Sequence, residues 1–157
     1  KGLGLALDKP IIPVPTVDAL AYNIWGTDKL ICPLMDARRQ QAYTGLYTFE
    51  NGKLHTVVPQ CAVDISEVVA EVNKQDREVI FLGDGVPVFQ DYLAEHVTVP
   101  YVFAPATCHI QRAASVAALG EVLYHKGVVE HAREHKPDYL RLSQAERERA
   151  EKDAERS

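Results

Sequence analysis

The sequence predicts a mixed α/β fold, in which a short strand–helix unit is followed by an antiparallel meander and then by helices alternating with short buried strands. Three observations carry this reading. Between Lys29 and Val63 the strand-like runs are joined by Asn51-Gly52, a dipeptide suited to a two-residue hairpin loop because both positions tolerate positive φ. From Asp64 to Lys74 apolar residues recur at helical spacing, with Ile65, Val68, Val69 and Val72 on one stripe. Glu78–Leu82 is a short apolar strand that runs straight into Gly83-Asp84-Gly85 and a second helical pattern, the order of an α/β unit.

The elements follow in order. Lys1–Leu7 reads as a helix already under way, with Leu3 and Leu7 one turn apart and no capping residue ahead of them, so an upstream segment is expected. Asp8-Lys9-Pro10 ends it. Ile11–Val14 is expected to be a strand bounded by Pro10 and Pro15. Thr16 is the expected N-cap of a helix over Val17–Ile24. Gly26-Thr27-Asp28 is a loop and the expected boundary between a first unit, 1–26, and a larger one, 27–136. Lys29–Met35 is an apolar strand interrupted by Pro33, which places it at an edge or a bulge. Asp36-Ala37-Arg38-Arg39 turns the chain into Gln41–Glu50, with Tyr43, Gly45, Tyr47 and Phe49 on one face. Lys53–Val63 returns as its partner.

Val86–His96 is expected to be a helix with Val88, Phe89, Tyr92 and Leu93 inward. Tyr101–Phe103 is a short strand. A long helix is expected from His109 to His125, where Ala113, Ala114, Ala117, Ala118 and Gly120 leave a smooth surface for close packing. Pro137–Leu142 reads as extended. Ser143 and Glu146 have capping-box spacing, ahead of a charged helix over Gln144–Ser157 with almost no apolar stripe. Its pairs Arg147–Glu151 and Arg149–Asp153 add about 0.2–0.5 kcal/mol each. Residues 137–157 form the third expected unit.

The totals narrow the function classes. With 157 residues, 46% apolar and 25% charged, the chain can build a substantial core. Its formal charge of −5 and scattered Lys and Arg argue against a nucleic-acid-binding face, since phosphate neutralisation needs clustered basic side chains. Cys32, Cys61 and Cys108 are odd in number and widely spaced, with no CxxC, which fits small buried residues in a reducing compartment. No apolar run approaches the ~20 residues of a membrane helix, and no signal peptide is visible. A cytoplasmic location and no cofactor are expected.

The chemistry-bearing patterns each admit two readings. Gly83-Asp84-Gly85, between a strand and a helix, could meet a nucleotide phosphate, or be a tight turn with Asp84 as N-cap. No Lys or Ser/Thr follows in P-loop register. Asp36 with Arg38 and Arg39, at a strand end, could hold a carboxylate or phosphate bidentately, or could fix the turn through an Asp–Arg pair. His131 and His135, four apart on an expected helix, are half a metal site or a solvated face, and the polar surroundings favour the second. Ser115 lacks a nucleophile-elbow context, and Cys108-His109 are neighbours that do not face each other. No catalytic triad and no metal set emerges from these spacings.

Several segments together resemble one family. Lys1-Gly-Leu-Gly-Leu-Ala-Leu7 with Pro10-Ile-Ile-Pro-Val-Pro-Thr-Val-Asp-Ala-Leu-Ala21, then Leu34-Met-Asp-Ala-Arg-Arg-Gln-Gln-Ala-Tyr43, Phe81-Leu-Gly-Asp-Gly85 and Pro137-Asp-Tyr-Leu-Arg-Leu-Ser-Gln-Ala-Glu-Arg147 are similar, in order, to motifs of the TsaB (YeaZ) family. Gln41 stands where that family usually has Glu. The motif positions are Asp36, Arg38, Arg39, Tyr43, Tyr139, Leu140 and Arg141. The resemblance implies the C-terminal lobe of an actin/Hsp70/sugar-kinase-like (ribonuclease H-like) two-lobed fold, with residues 1–26 as the remnant of an N-terminal lobe whose glycine-rich turn has no counterpart here. It implies a non-catalytic scaffold that pairs with a TsaD-like catalytic subunit and a TsaE-like ATPase in threonylcarbamoyladenosine synthesis on tRNA. Lys1, Leu3 and Leu7 are what would remain of the pairing surface, a homodimer is a further assembly it leaves open, and tRNA would be reached only through the complex. The rival reading is the C-terminal lobe of a nucleotide-binding kinase-like enzyme or of a metallohydrolase with the family's old glycoprotease label.

Overall fold

In the computed structural model, residues 1–140 are described. The expected charged helix over 144–157, its capping box and Arg141 lie outside them. Five strands form one sheet in the order β3-β2-β1-β4-β5. They are β1 (Leu30–Asp36), β2 (Gln41–Glu50), β3 (Lys53–Asp64), β4 (Val79–Leu82) and β5 (Tyr101–Phe103). β1 pairs antiparallel with β2 and parallel with β4, so the meander and the parallel half meet on it. The hairpin between β2 and β3 turns at Asn51 (φ 51°) and Gly52 (φ 74°), the two positive-φ positions expected there.

Helices cover both faces. α3 (Ile65–Lys74) and α4 (Val86–His96) lie on one, burying Ile65, Val68, Val69, Val72, Phe89 and Leu93 against Leu30, Cys32, Leu34 and Phe81. Asp64 caps α3, its carboxylate accepting the Ser66 N–H at 2.9 Å, and Ser66 holds that carboxyl below its ordinary range. On the other face α2 (Thr16–Ala21) buries Val17, Leu20 and Ala21 against Ile31, Tyr47, Phe49 and Leu82. α5 (Ala113–His125) packs on α2. Each fully buried aliphatic or aromatic side chain is worth about 1.5–3 kcal/mol. Residues 1–26 therefore share a core with the sheet, while Gly26 (φ 82°) sits in the turn that leads to β1. Among the described residues no helix is long and apolar enough to cross a membrane.

Several expectations change. Pro33 does not mark an edge: β1 is the central strand. Its missing N–H is harmless because, in the register set by Ile31–Tyr47 and Leu34–Thr44, Pro33 falls opposite Gly45, where the β1–β2 pairing is interrupted. The Thr44 hydroxyl donates to the Pro33 carbonyl at 2.7 Å and satisfies the remaining backbone group. The irregularity lies instead between β2 and the edge strand β3, whose register shifts on either side of the Leu46–Val58 pair. Ile11–Val14 is not a strand. Pro10, Pro13 and Pro15 remove donors, and only Ile11 pairs, with Glu130. Thr16 is the first helical residue and Pro15 the N-cap, and α2 ends in a 3-10 turn over Tyr22–Ile24. Val88, expected inward, is 58% exposed, because Val86, Phe89 and Leu93 define the buried stripe of α4. α5 begins at Ala113 and not at His109, since residues 104–112 are held as a loop.

Gly83 should be the least replaceable glycine. Its φ is +112°, and a Cβ there would lie 2.0 Å from the Leu34 carbonyl oxygen, whereas Gly2 has nothing within 4 Å. Gly83→Ala is expected to cost at least about 3 kcal/mol in chemical denaturation, and Gly2→Ala to leave stability unchanged within about 0.5 kcal/mol.

Candidate functional site at the strand ends and the flanking groove

The two loop motifs singled out in the sequence come together at the C-terminal ends of the parallel strands β1 and β4, the edge where open α/β sheets place their ligands. The Gly85 N–H donates to the Leu34 carbonyl at 2.9 Å, and a Cβ on Gly85 would come within 3.2 Å of the Asp36 backbone nitrogen. The Gly83 N–H donates to the His109 carbonyl at 2.8 Å. Both glycine N–H groups are thus engaged by protein carbonyls and do not point at an open phosphate cradle. Asp84 is not the cap. Gly85 occupies that position and α4 has no side-chain cap, so exposed Asp84 leaves its carboxylate at the surface.

The Asp36–Gln41 turn is tightly knit. The Asp36 carboxylate accepts the Arg38 N–H at 2.8 Å, Ala37 donates to the Gln41 carbonyl at 2.9 Å, and Gln41 donates to the Arg38 carbonyl at 3.0 Å. Ile65, at the start of α3, donates to the Gln40 carbonyl at 2.9 Å. Arg38, Arg39 and Gln40 all adopt positive φ, at 65°, 54° and 62°. Arg38 approaches Asp36 only loosely, at 3.6 Å, with its side chain 85% exposed. Arg39 is exposed.

A second feature is a groove of about 720 Å³ beside α2, lined among others by Val14, Pro15, Asp18, Tyr43, His135 and Leu140. The Pro137–Leu140 stretch forms one wall, without regular secondary structure, and Tyr139 is 81% exposed. Beneath the groove the wholly buried Tyr47 donates its hydroxyl to Asp18 at 2.6 Å. Burial raises the Asp18 carboxyl above its ordinary value of 3.8, with the Tyr47 hydrogen bond pulling the other way. Burial and the Asp18 contact push the Tyr47 phenol upward. Gly45 makes room for that ring, since a Cβ there would meet the Tyr47 hydroxyl at 2.6 Å.

Sequence reasoning passed over this pair and also Asn23. The Asn23 amide donates to the Cys108 and Ile110 carbonyls at 2.9 and 2.7 Å and accepts the Ser115 hydroxyl at 2.6 Å. That clamp holds the loop before α5 and explains the later start of the helix. The available signal was a polar residue at helical spacing behind Ala19 and Leu20.

The remaining candidates stay apart. His131 and His135 do not share a helical face: residues 132–134 form a turn. His135 pairs with Glu130 at 2.8 Å, while the His131 ring accepts the Arg133 N–H at 3.2 Å. Among the described residues no group of three or more His, Cys, Asp or Glu is placed to hold a metal ion. The three cysteines are free, and burial pushes the Cys32 thiol up to about 12, far from a nucleophilic thiolate. At the N-terminus α1 (Gly2–Ala6) is a single exposed turn with Leu3 79% and Leu7 65% accessible. Lys1 donates through Nζ to the His135 carbonyl at 2.9 Å.

The model of a family described as TsaD: tRNA N6-adenosine threonylcarbamoyltransferase matches residues 1–149. The chain is 36% identical over 149 residues to the tRNA threonylcarbamoyladenosine biosynthesis protein TsaB of Bacillus subtilis (strain 168). The chain belongs to the TsaB (YeaZ) family. The match covers 93% of this chain and 62% of the B. subtilis protein, so this TsaB-family chain spans less than two thirds of that relative's length. YeaZ from Pseudomonas aeruginosa superposes with a TM-score of 0.67 at 18% identity, covering 88% of this chain and 63% of that one. A second structure, described as an uncharacterized protein with similarity to peptidase YEAZ from Pseudomonas aeruginosa, gives 0.66 at 20% identity, covering 89% and 63%. These likenesses establish the fold, a mixed α/β sheet with flanking helices shared with the YeaZ structures.

Two outcomes test the buried pair. A carboxyl whose folded-state pKa lies above its unfolded value makes the folded chain the better proton binder. The cost of its buried charge is therefore absent below the unfolded value and complete above the folded one. Stability should fall as pH rises across that interval, and Asp18→Asn should flatten the fall, read from urea midpoints in a pH series. Tyr47→Phe removes the donor, and is expected to destabilise by about 1–2 kcal/mol at neutral pH and to raise the Asp18 pKa further.

Proposed function

We propose that this TsaB-family chain serves threonylcarbamoyladenosine biosynthesis on tRNA as a non-catalytic partner subunit in the cytoplasm, pairing with a TsaD-like catalytic subunit and a TsaE-like ATPase. The observation that carries the reading is the 36% identity to a protein named for that pathway, over 93% of the chain. The side chains that might have done chemistry support the non-catalytic part. The Ser115 hydroxyl is held by Asn23, His135 is paired with Glu130, and the Cys32 thiol is buried in the core. The acidic balance supports indirect contact with tRNA, through the assembly and not through this chain.

The pairing surface in this reading includes α1. Leu3, Leu5 and Leu7 are all exposed on a helix of one turn, which leans on the buried Ala132 through Gly4. Apolar side chains that gain nothing from their own fold are suited to an interface.

The test uses the complete natural protein and its TsaD-like subunit, measured by size-exclusion chromatography with light scattering. A stable heteromeric complex is expected, and Leu3→Glu with Leu7→Glu should weaken it at least about tenfold, since two desolvated leucines contribute about 1.5–3 kcal/mol each. Separate elution of the wild-type proteins at micromolar concentration would overturn the reading. A self-associated pair in place of the complex would reassign the surface to a homodimer.

A further inference from the structure

The groove beside α2 holds a carboxylate that the fold leaves without a cation. Asp18 lines it, and its partners are the Tyr47 hydroxyl, 2.6 Å from Oδ1, and its own backbone N–H. Among the described residues no Lys, Arg or His pairs with it. A hydrogen bond from a neutral phenol offsets only part of the desolvation of a carboxylate, which is why burial still raises this carboxyl above its ordinary value. Asp18 is half-buried and Tyr47 wholly buried, so the carboxylate is anchored from the core side. The rest of the lining sets what fits. Pro13, Val14, Pro15, Leu123 and Val128 make the walls apolar, and a volume of about 720 Å³ is that of a site for a small organic molecule. Glu130, also in the lining, is paired with His135 at 2.8 Å, and Lys136 and Asp138 balance in formal charge. Asp18 is therefore the uncompensated charge of the groove, and an anion is disfavoured there. An extended peptide is disfavoured as well, because Pro13 and Pro15 offer no N–H for main-chain pairing.

We infer that this groove is a binding site for a small organic ammonium ion with an apolar body, whose charged end meets Asp18 and whose body lies against the proline and valine walls. A carboxylate offers roughly four lone-pair sites, so the Tyr47 hydroxyl and the Asp18 N–H leave it able to accept from an ammonium as well. A charge-assisted hydrogen bond in a recess partly shielded from water is stronger than the same pair at the surface. Tyr43 and Tyr139, both in the lining, add aromatic surface for the body. The site is independent of the scaffold reading, and either can fail alone.

The experiment titrates the complete natural protein, isotopically labelled, with phenethylammonium, its uncharged isostere phenethyl alcohol and the anion hydrocinnamate, and reads backbone amide shifts by NMR. The ammonium should give saturable shifts centred on Val17, Asp18 and Val128 below about 10 mM, the range for so small a ligand. The alcohol should bind at least about tenfold more weakly, and the anion should leave the spectrum unchanged. Asp18→Asn keeps the shape of the side chain and should weaken the ammonium at least about tenfold, the loss of one charged hydrogen bond, while the alcohol binds as before. Tyr139→Ala, at an exposed ring, should weaken both probes about two- to fivefold with an unchanged melting temperature. The wild-type comparison of charged and uncharged probes decides the matter whatever Asp18→Asn does to folding. Equal binding of ammonium and alcohol, an ammonium titration that Asp18→Asn leaves intact, or an absence of shifts would each overturn the inference. Shifts from a blocked lysine tripeptide and none from the free ammonium would overturn it in favour of a partner protein's side chain.

Discussion

The close approach of the β4–α4 turn to the end of β1 is the constraint on which the functional edge depends. The Leu34 carbonyl accepts the Gly85 N–H at 2.9 Å, and Gly83 sits so near the same oxygen that no side chain fits. This contact seals the end of the parallel pair and draws α4 over the core. It also fixes where Asp36 emerges, so that the following turn leaves the sheet in one direction. A glycine pattern that suggests a phosphate cradle is here used to bring two backbones together. The glycine N–H groups that might have met a ligand are already engaged, and the exposed side chains of Arg38 and Arg39 lie in the turn that follows β1.

The opposite face of the sheet depends on a different exclusion. Gly45 leaves the space in which Tyr47 lies flat and buried, with its hydroxyl reaching Asp18 on α2. The hydrogen bond offsets part of the cost of burying a carboxylate, and it ties α2 to the sheet through a polar contact inside an apolar layer. Asn23 extends the tie to the loop before α5. α2, β2 and α5 are thereby packed together, and the groove lined by Asp18 and Tyr43 is also lined by the Pro137–Leu140 stretch.

Membership of the TsaB family and the side-chain arrangement point to the same kind of protein. Ser115 is held by Asn23, His135 is paired with Glu130 and Cys32 is buried in the core. What faces outward is a leucine-bearing turn at one end and an arginine pair at another.

Much of this was legible in the sequence where a local rule decides the outcome. Asn51-Gly52 fixes its hairpin because two positive-φ positions admit few alternatives, and the stripe of α3 follows from helical period alone. The ordered motifs, Asp36-Ala-Arg38-Arg39 among them, sufficed to name the family. The tertiary structure decided whatever depends on a partner distant in sequence. Pro33 could lie in the central strand only because Gly45 faces it and Thr44 satisfies its carbonyl. Val88 faces outward because Val86, Phe89 and Leu93 form the buried stripe of α4, and the loop before α5 is held by Asn23, some 85 residues earlier, through the Cys108 and Ile110 carbonyls. Periodicity registers neighbours within a turn or a strand; which backbone comes close enough to forbid a Cβ, or to claim a hydrogen bond, is settled only when the sheet closes.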